Sequence, residues 1–221
     1  MDQSQRCFDL LRTGDDDGLR RVLDETPGAA NERDTAGVSL LMHALYRGRR
    51  DLAEAIAAKK QELDIFEAAS LGRLDRLQSF SDDTAALNSF SKDGFTALHF
   101  ACYFGQPEAA RLLIEKGARV DVVANNPTHV MPLHSAASSH NLEAARLLVE
   151  NGAPANARQQ SGWVPIHAAA QNGDVDMVKL LLAHGADADI ANDDGKTPAM
   201  AAREKGHMEI AALLETAKSK S

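Results

Sequence analysis

The groups able to do acid–base or metal chemistry in this chain are eight histidines, two cysteines and a run of three carboxylates. A zinc ion held by bonds of about 2 Å needs its ligands in one neighbourhood. His99, His134 and His167 instead stand 35 and 33 residues apart, each in its own short apolar segment. His129, His140, His184 and His207 fall at finger, mid-unit or helix-end positions, and His43 precedes an apolar helical run as a core or boundary residue. Cys7 and Cys102 are far apart and occupy apolar positions, as small core fillers in a reduced compartment do. Asp15, Asp16 and Asp17 lie just ahead of a helical run, where negative charge meets the positive end of the helix. A calcium loop would need alternating oxygen ligands over about twelve residues and a distal glutamate. No nucleophile elbow or phosphate loop can be read. These residues read as structural.

The elements that hold them are clearest from Ser91 to Ala118, SKDGFTALHFACYFGQPEAARLLIEKGA. A polar turn with a glycine leads into a short helical run, Ala97 to Tyr103. Gly105 interrupts it, and a second run from Glu108 to Glu115 carries Ala109, Leu112, Leu113 and Ile114 at helical spacing. Lys116-Gly117 ends that run, because lysine suits the C-terminal dipole and glycine takes the left-handed cap. A turn and two antiparallel helices form a unit too small to bury its own apolar face. It must stack on copies of itself.

The copies are present. Gly72, Gly105, His140, Gly173 and Gly206 follow one another at 33, 35, 33 and 33 residues. The first-helix segments read TALH (Thr96 to His99), MPLH (Met131 to His134), VPIH (Val164 to His167) and TPAM (Thr197 to Met200). With the recurring Gly-Ala pairs at 117, 152 and 185, this pattern resembles the ankyrin repeat, with its period near thirty-three and its T-P-L-H-x-A signature. The resemblance implies an all-α solenoid of about seven helix-turn-helix units with β-hairpin fingers, built as a single domain over residues 1–221. It also implies that the signature histidines hydrogen-bond neighbouring turns together. The units run approximately 1–33, 34–60, 61–90, 91–124, 125–157, 158–190 and 191–217, with a polar tail at 218–221. Between Gly48 and Gly72 the interval is only 24 residues. The second and third units are therefore expected to join by a short loop with no projecting hairpin.

Composition narrows the partners. A net charge of −8 argues against nucleic acid, since phosphate affinity needs clustered lysine and arginine. No apolar stretch of about eighteen residues suits a membrane span, and the N-terminus lacks a secretory core. A cytoplasmic monomer without a cofactor is expected.

In ankyrin stacks, partners touch the finger tip, the residue after the signature glycine, and the two residues before the mid-unit glycine. Carried over, these positions are Tyr46 and Arg47 in the second unit, and Lys92, Asp93, Phe95, Tyr103 and Phe104 in the fourth. Val130 follows in the fifth, Gln160, Trp163, Gln171 and Asn172 in the sixth, and Lys196 in the seventh. The single tryptophan and both tyrosines fall on these positions in a chain only 5% aromatic, and such residues dominate binding hot spots. The leading expectation is a non-catalytic scaffold that binds a protein on the concave face around units four to six. The alternative is an enzyme or small-molecule binder whose cleft lies at the shortened junction, where first-helix surface near Tyr46, Arg47 and Glu67 would be exposed.

Overall fold

The computed structural model describes residues 3–80 and 82–218; the proposed tail residues 219–221 lie outside them. Helices come in pairs. The pairs are α1 (Gln3–Thr13) with α2 (Asp16–Glu25), α3 (Leu40–Tyr46) with α4 (Arg50–Ala57), and α5 (Ile65–Leu71) with α6 (Leu74–Gln78). A single turn, α7 (Thr84–Leu87), precedes α8 (Ala97–Tyr103) with α9 (Pro107–Glu115) and α10 (Pro132–Ser138) with α11 (Leu142–Glu150). Then come α12 (Pro165–Asn172) with α13 (Val175–Ala183) and α14 (Pro198–Glu204) with α15 (Met208–Lys218). Lys218, expected in the tail, is the last residue of α15 and pairs with Asp189 at 2.7 Å.

Most helices start where the sequence supplies a cap or a proline. Asp15, Asn141 and Asp174 accept the N–H three residues on, at 2.8 to 3.1 Å. Pro107, Pro132, Pro165 and Pro198 open α9, α10, α12 and α14, where a missing N–H costs nothing. The paired helices meet through alanine: Ala101, Ala109 and Ala110 in one pair and Ala136, Ala137, Ala144 and Ala145 in the next are fully buried. Small side chains let short helices approach closely, and the leucines beside them, Leu98, Leu113, Leu133 and Leu148, fill the space between units.

The fingers expected as β-hairpins form no strand among the described residues; an isolated bridge joins Arg33 and Ser39. The typical finger is a tight five-residue turn closed by one bond across its base, such as Ser91 N–H to Phe95 C=O at 2.9 Å and Asn192 N–H to Lys196 C=O at 3.0 Å; the second unit has two such bonds and the fifth unit's turn is two residues longer. Five residues leave no length for a ladder. Successive turns are instead tied to each other, by Asn125 N–H to Gly94 C=O, Gln160 N–H to Thr128 C=O and Asp193 N–H to Ser161 C=O at 2.8 to 3.0 Å. Gly94 is required there twice over. Its φ is +87°, and a Cβ would collide with the Asn125 carbonyl.

The connection 58–64 carries no such turn. Asp64 and Glu67 form a capping box at the start of α5, with bonds of 2.8 and 3.1 Å. Glu67 stands where the later units have histidine, and it is fully buried, with Lys60 against it at 2.9 Å. The expected exposure of Glu67 is thus corrected: a lysine from the short loop covers it. A charge so placed is tolerated only while its counter-charge stays.

Two outcomes follow from these contacts. Lys60→Met is expected to lower stability by about 3 kcal/mol through the stranded carboxylate, and Lys60→Met with Glu67→Gln to recover most of that loss in urea denaturation. A loss below about 0.5 kcal/mol in the single variant would show a hydrated pair. His140 holds a left-handed φ of +58° in a position otherwise glycine, so His140→Gly should raise the unfolding free energy by about 1 kcal/mol. A fall on that substitution would show that the His140–Asp174 contact outweighs the strain.

Candidate partner-binding groove

The side chains just before the mid-unit glycines sit at the ends of the first helices, so stacking sets them one step apart. Tyr46 ends α3, Tyr103 ends α8, Ser138 ends α10, and Gln171 lies in the last turn of α12. The third unit places Ser70 and Leu71 there instead, and both are buried. Neither is a large ring, and no finger precedes α5. Tyr46 reaches across to the fourth unit, where its hydroxyl donates to Asp93 and its ring lies 6.0 Å from that of Phe104. Burial, then the Asp93 bond, raises the Tyr46 phenol well above its ordinary range.

Around this contact six rings connect. Phe104 stacks on Phe100 at 6.3 Å and meets Tyr103 edge-on at 5.2 Å, while Phe100 meets Phe95 at 5.6 Å and Phe66 at 6.0 Å. Phe100 is buried at the centre, Phe95 and Phe104 are half-buried, and Tyr46 and Tyr103 are 41% and 50% exposed. Fixed against one another, the rings present apolar area that loses little entropy on contact.

Tyr46, Phe95, Tyr103, Val130 and Ser138 line a cavity of about 280 Å³. It adjoins an open depression of about 410 Å³ lined by Gln160, Trp163 and Gln171, and the two share Thr128, Val130 and Ser138 as a common wall. Trp163 is half-buried, with its ring 5.1 Å from the His167 imidazole. Lys92 and Asp93 line a third, smaller space of about 180 Å³ with Phe66, Phe90 and Phe100, where the fingers of the second and fourth units face each other. Arg47 is exposed and reaches back to His43. Asn172 and Lys196 are turned to internal use: the Asn172 amide donates to the Ala137 and Ser138 carbonyls, and the Lys196 ammonium to Glu204. Position counting missed Phe66, Phe90 and Phe100. Phe100 directly follows His99, and Phe66 matches Leu98 in its unit, so both read as ordinary core.

Beneath the groove lie the signature histidines. The Nδ1 of His99 accepts the Thr96 N–H at 3.3 Å, and its Nε2–H donates to the Val130 carbonyl of the next unit at 3.1 Å. His167 repeats this with Val164 and Lys196 at 3.3 and 3.0 Å. His134 takes the Met131 N–H at 3.1 Å, while its Nε2 faces the Ala157 and Trp163 carbonyls without closing a bond of normal geometry. Burial pushes His99 and His134 down to about 4 and lowers His167, so all three are neutral at neutral pH. Burial likewise raises the Cys102 thiol, and Cys7 follows for the same main reason.

A helix pair per unit, turns tied to the next turn, and an imidazole bridging from the fourth and the sixth units to the next make up the repeat. A family model described as ankyrin repeats (3 copies) matches residues 65–159 and 133–220, together more than half of the chain. The chain belongs to the ankyrin-repeat family. An ankyrin repeat domain-containing protein, oryK, of Aspergillus oryzae is 43% identical over 56 residues, which is 25% of this chain and 9% of that protein. Calmodulin-binding transcription activator 6 of Arabidopsis thaliana is 40% identical over 58 residues, 26% of this chain and 7% of that protein. The likeness thus spans under a tenth of either relative. Among the described residues no helix is long and apolar enough to cross a membrane.

At the shortened junction of this ankyrin stack, a depression of about 280 Å³ is lined by Arg33, Lys60, Glu62, Asp64, Glu67 and Arg76. Its charges are matched: Arg33 with Asp64 at 2.8 Å, Lys60 with Glu67 at 2.9 Å, Arg76 with Glu62 at 3.0 Å. Such a surface is neutral and already satisfied.

The buried imidazoles set a pH dependence. Unfolding releases them to an ordinary value near 6.5, so only the unfolded chain gains protons between about 6.5 and about 4. Stability should be flat above that window and fall through it, each imidazole contributing a slope approaching about 1.4 kcal/mol per pH unit. Urea midpoints at pH 7, 6 and 5 measure this, and an unchanged midpoint at pH 5 contradicts it.

Proposed function

We propose that this ankyrin stack is a non-catalytic scaffold, cytoplasmic and monomeric, that acts as a single domain and binds a protein partner along the groove from Tyr46 to Gln171. The observation that carries the reading is the aromatic surface itself. In a chain 5% aromatic, Tyr46, Tyr103 and Trp163 stand on one track, braced from below and open from above. The supporting network keeps the rings in place before a partner arrives, so binding incurs little ordering cost. Ankyrin repeats in general mediate protein–protein contact, and the groove offers apolar anchors flanked by uncharged hydrogen-bonding groups.

The test compares the wild type with Tyr103→Ala and Trp163→Ala as baits in extracts of the source organism. The same interactor should drop by about tenfold or more with both variants, while each melting temperature stays within about 2 °C of the wild type. Interactors retained at full yield by both variants, or unfolding of either variant, would remove the groove from the account.

A further inference from the structure

We propose that the cavity between the second, fourth and fifth units receives one aromatic side chain from an acidic segment of the partner; this rests on the partner-binding reading above. Size is the first argument. A dry cavity of about 150 Å³ accepts benzene, and sites for small organic ligands begin near 300 Å³. At about 280 Å³ this one suits a phenol or indole on a peptide and is too small for a cofactor.

The walls are the second argument. Tyr46, Phe95 and Tyr103 offer ring faces and edges, and Val130 closes the side towards the fifth unit. His99 and His134 both line the cavity. Both ring nitrogens of His99 are bonded, to Thr96 and to Val130, whereas the Nε2 of His134 closes no bond of normal geometry, so the wall is made of rings and uncharged groups with one polar nitrogen unmet. Ser138 stands at the lip, more exposed, where the polar edge of a phenol or indole finds a partner.

Charge decides what surrounds the ring. The carboxylate beside the cavity, Asp93, is occupied by the Tyr46 and Ser91 hydroxyls. Arg47, next to Tyr46, is bonded only to His43, and Lys92 lies on the adjoining space, exposed. Among the described residues neither cation has a carboxylate partner, whereas the charges of the junction nearby are matched in pairs. In a chain of net charge −8, two exposed and uncommitted cations beside the cavity rather than in its lining, Arg47 next to Tyr46 and Lys92 next to Asp93, favour a segment whose acidic residues flank its aromatic anchor. Beyond the cavity the rim, Thr128, Gln160 and Gln171, is uncharged and sets no further charge rule.

The experiment is selection of a phage-displayed random dodecapeptide library on the full chain, with selected peptides remade with a fluorescent label for polarisation titrations. Expected are sequences with one Trp, Tyr or Phe beside Asp or Glu. Their affinity should fall about tenfold or more for Ser138→Trp, which plugs the mouth, and for Arg47→Glu with Lys92→Glu, which are exposed changes. It should also weaken as salt rises. Selected peptides that are basic or lack an aromatic residue, or that bind both variants like wild type, overturn the inference. If those same peptides lose affinity for Trp163→Ala, the groove still binds protein and only the cavity's role is wrong. If no peptide is sensitive to Trp163→Ala, Ser138→Trp or the charge reversal, both readings fall.

Discussion

A unit of two short helices cannot bury its own apolar face, and everything in this molecule follows from how one unit is fastened to the next. The fastening is a neutral imidazole. It accepts the N–H that opens its own helix and donates to the carbonyl that ends the following finger, as His99 and His167 do. One side chain thereby fixes both a helix start and an inter-unit register, out of water, where a hydrogen bond is strong and an unmade one is costly. Backbone bonds between fingers and the carboxamides of Asn88 and Asn156, which bridge to Arg119 and Asp187, repeat the same tie elsewhere on the step.

The shortened junction shows what happens when this fastening is removed. With no finger ahead of α5 the second unit has no carbonyl to donate to, and its signature position holds Met42; in the third unit the same position holds Glu67, a group that can only accept. Lys60 supplies the missing donor from the loop itself. The loss of the finger and the small residue Ser70 together leave a recess, and Tyr46 bridges it to Asp93 and Phe104. A defect in the repeat thus produces a recessed apolar surface between the second, fourth and fifth units. The aromatic groove lies where the repeat departs from its own template.

Much of this is written in the sequence and part of it is not. The glycine and histidine spacings announce the stack, because a strained φ and a buried bridge tolerate few residue types. The short interval from Gly48 to Gly72 announces a missing finger for the same reason. Position counting places Tyr46, Tyr103 and Trp163 on one face. It cannot show that Tyr46 crosses a unit to reach Asp93, since that depends on how far the recessed unit lets its neighbours close. It also reads Glu67 as exposed, because a charge is normally solvated and its partner, Lys60, comes from an irregular loop. Asn172 shares the partner-facing position by number, yet its amide finds two carbonyls of the previous unit first.

The stack holds an open aromatic groove ready-made, and its single indole reports on that directly. Acrylamide quenching of Trp163 fluorescence in the folded chain should reach a substantial fraction of the quenching constant of the urea-unfolded chain, with emission shifted towards that of a hydrated indole. A blue-shifted emission that acrylamide barely quenches would place the ring inside a core and contradict the account.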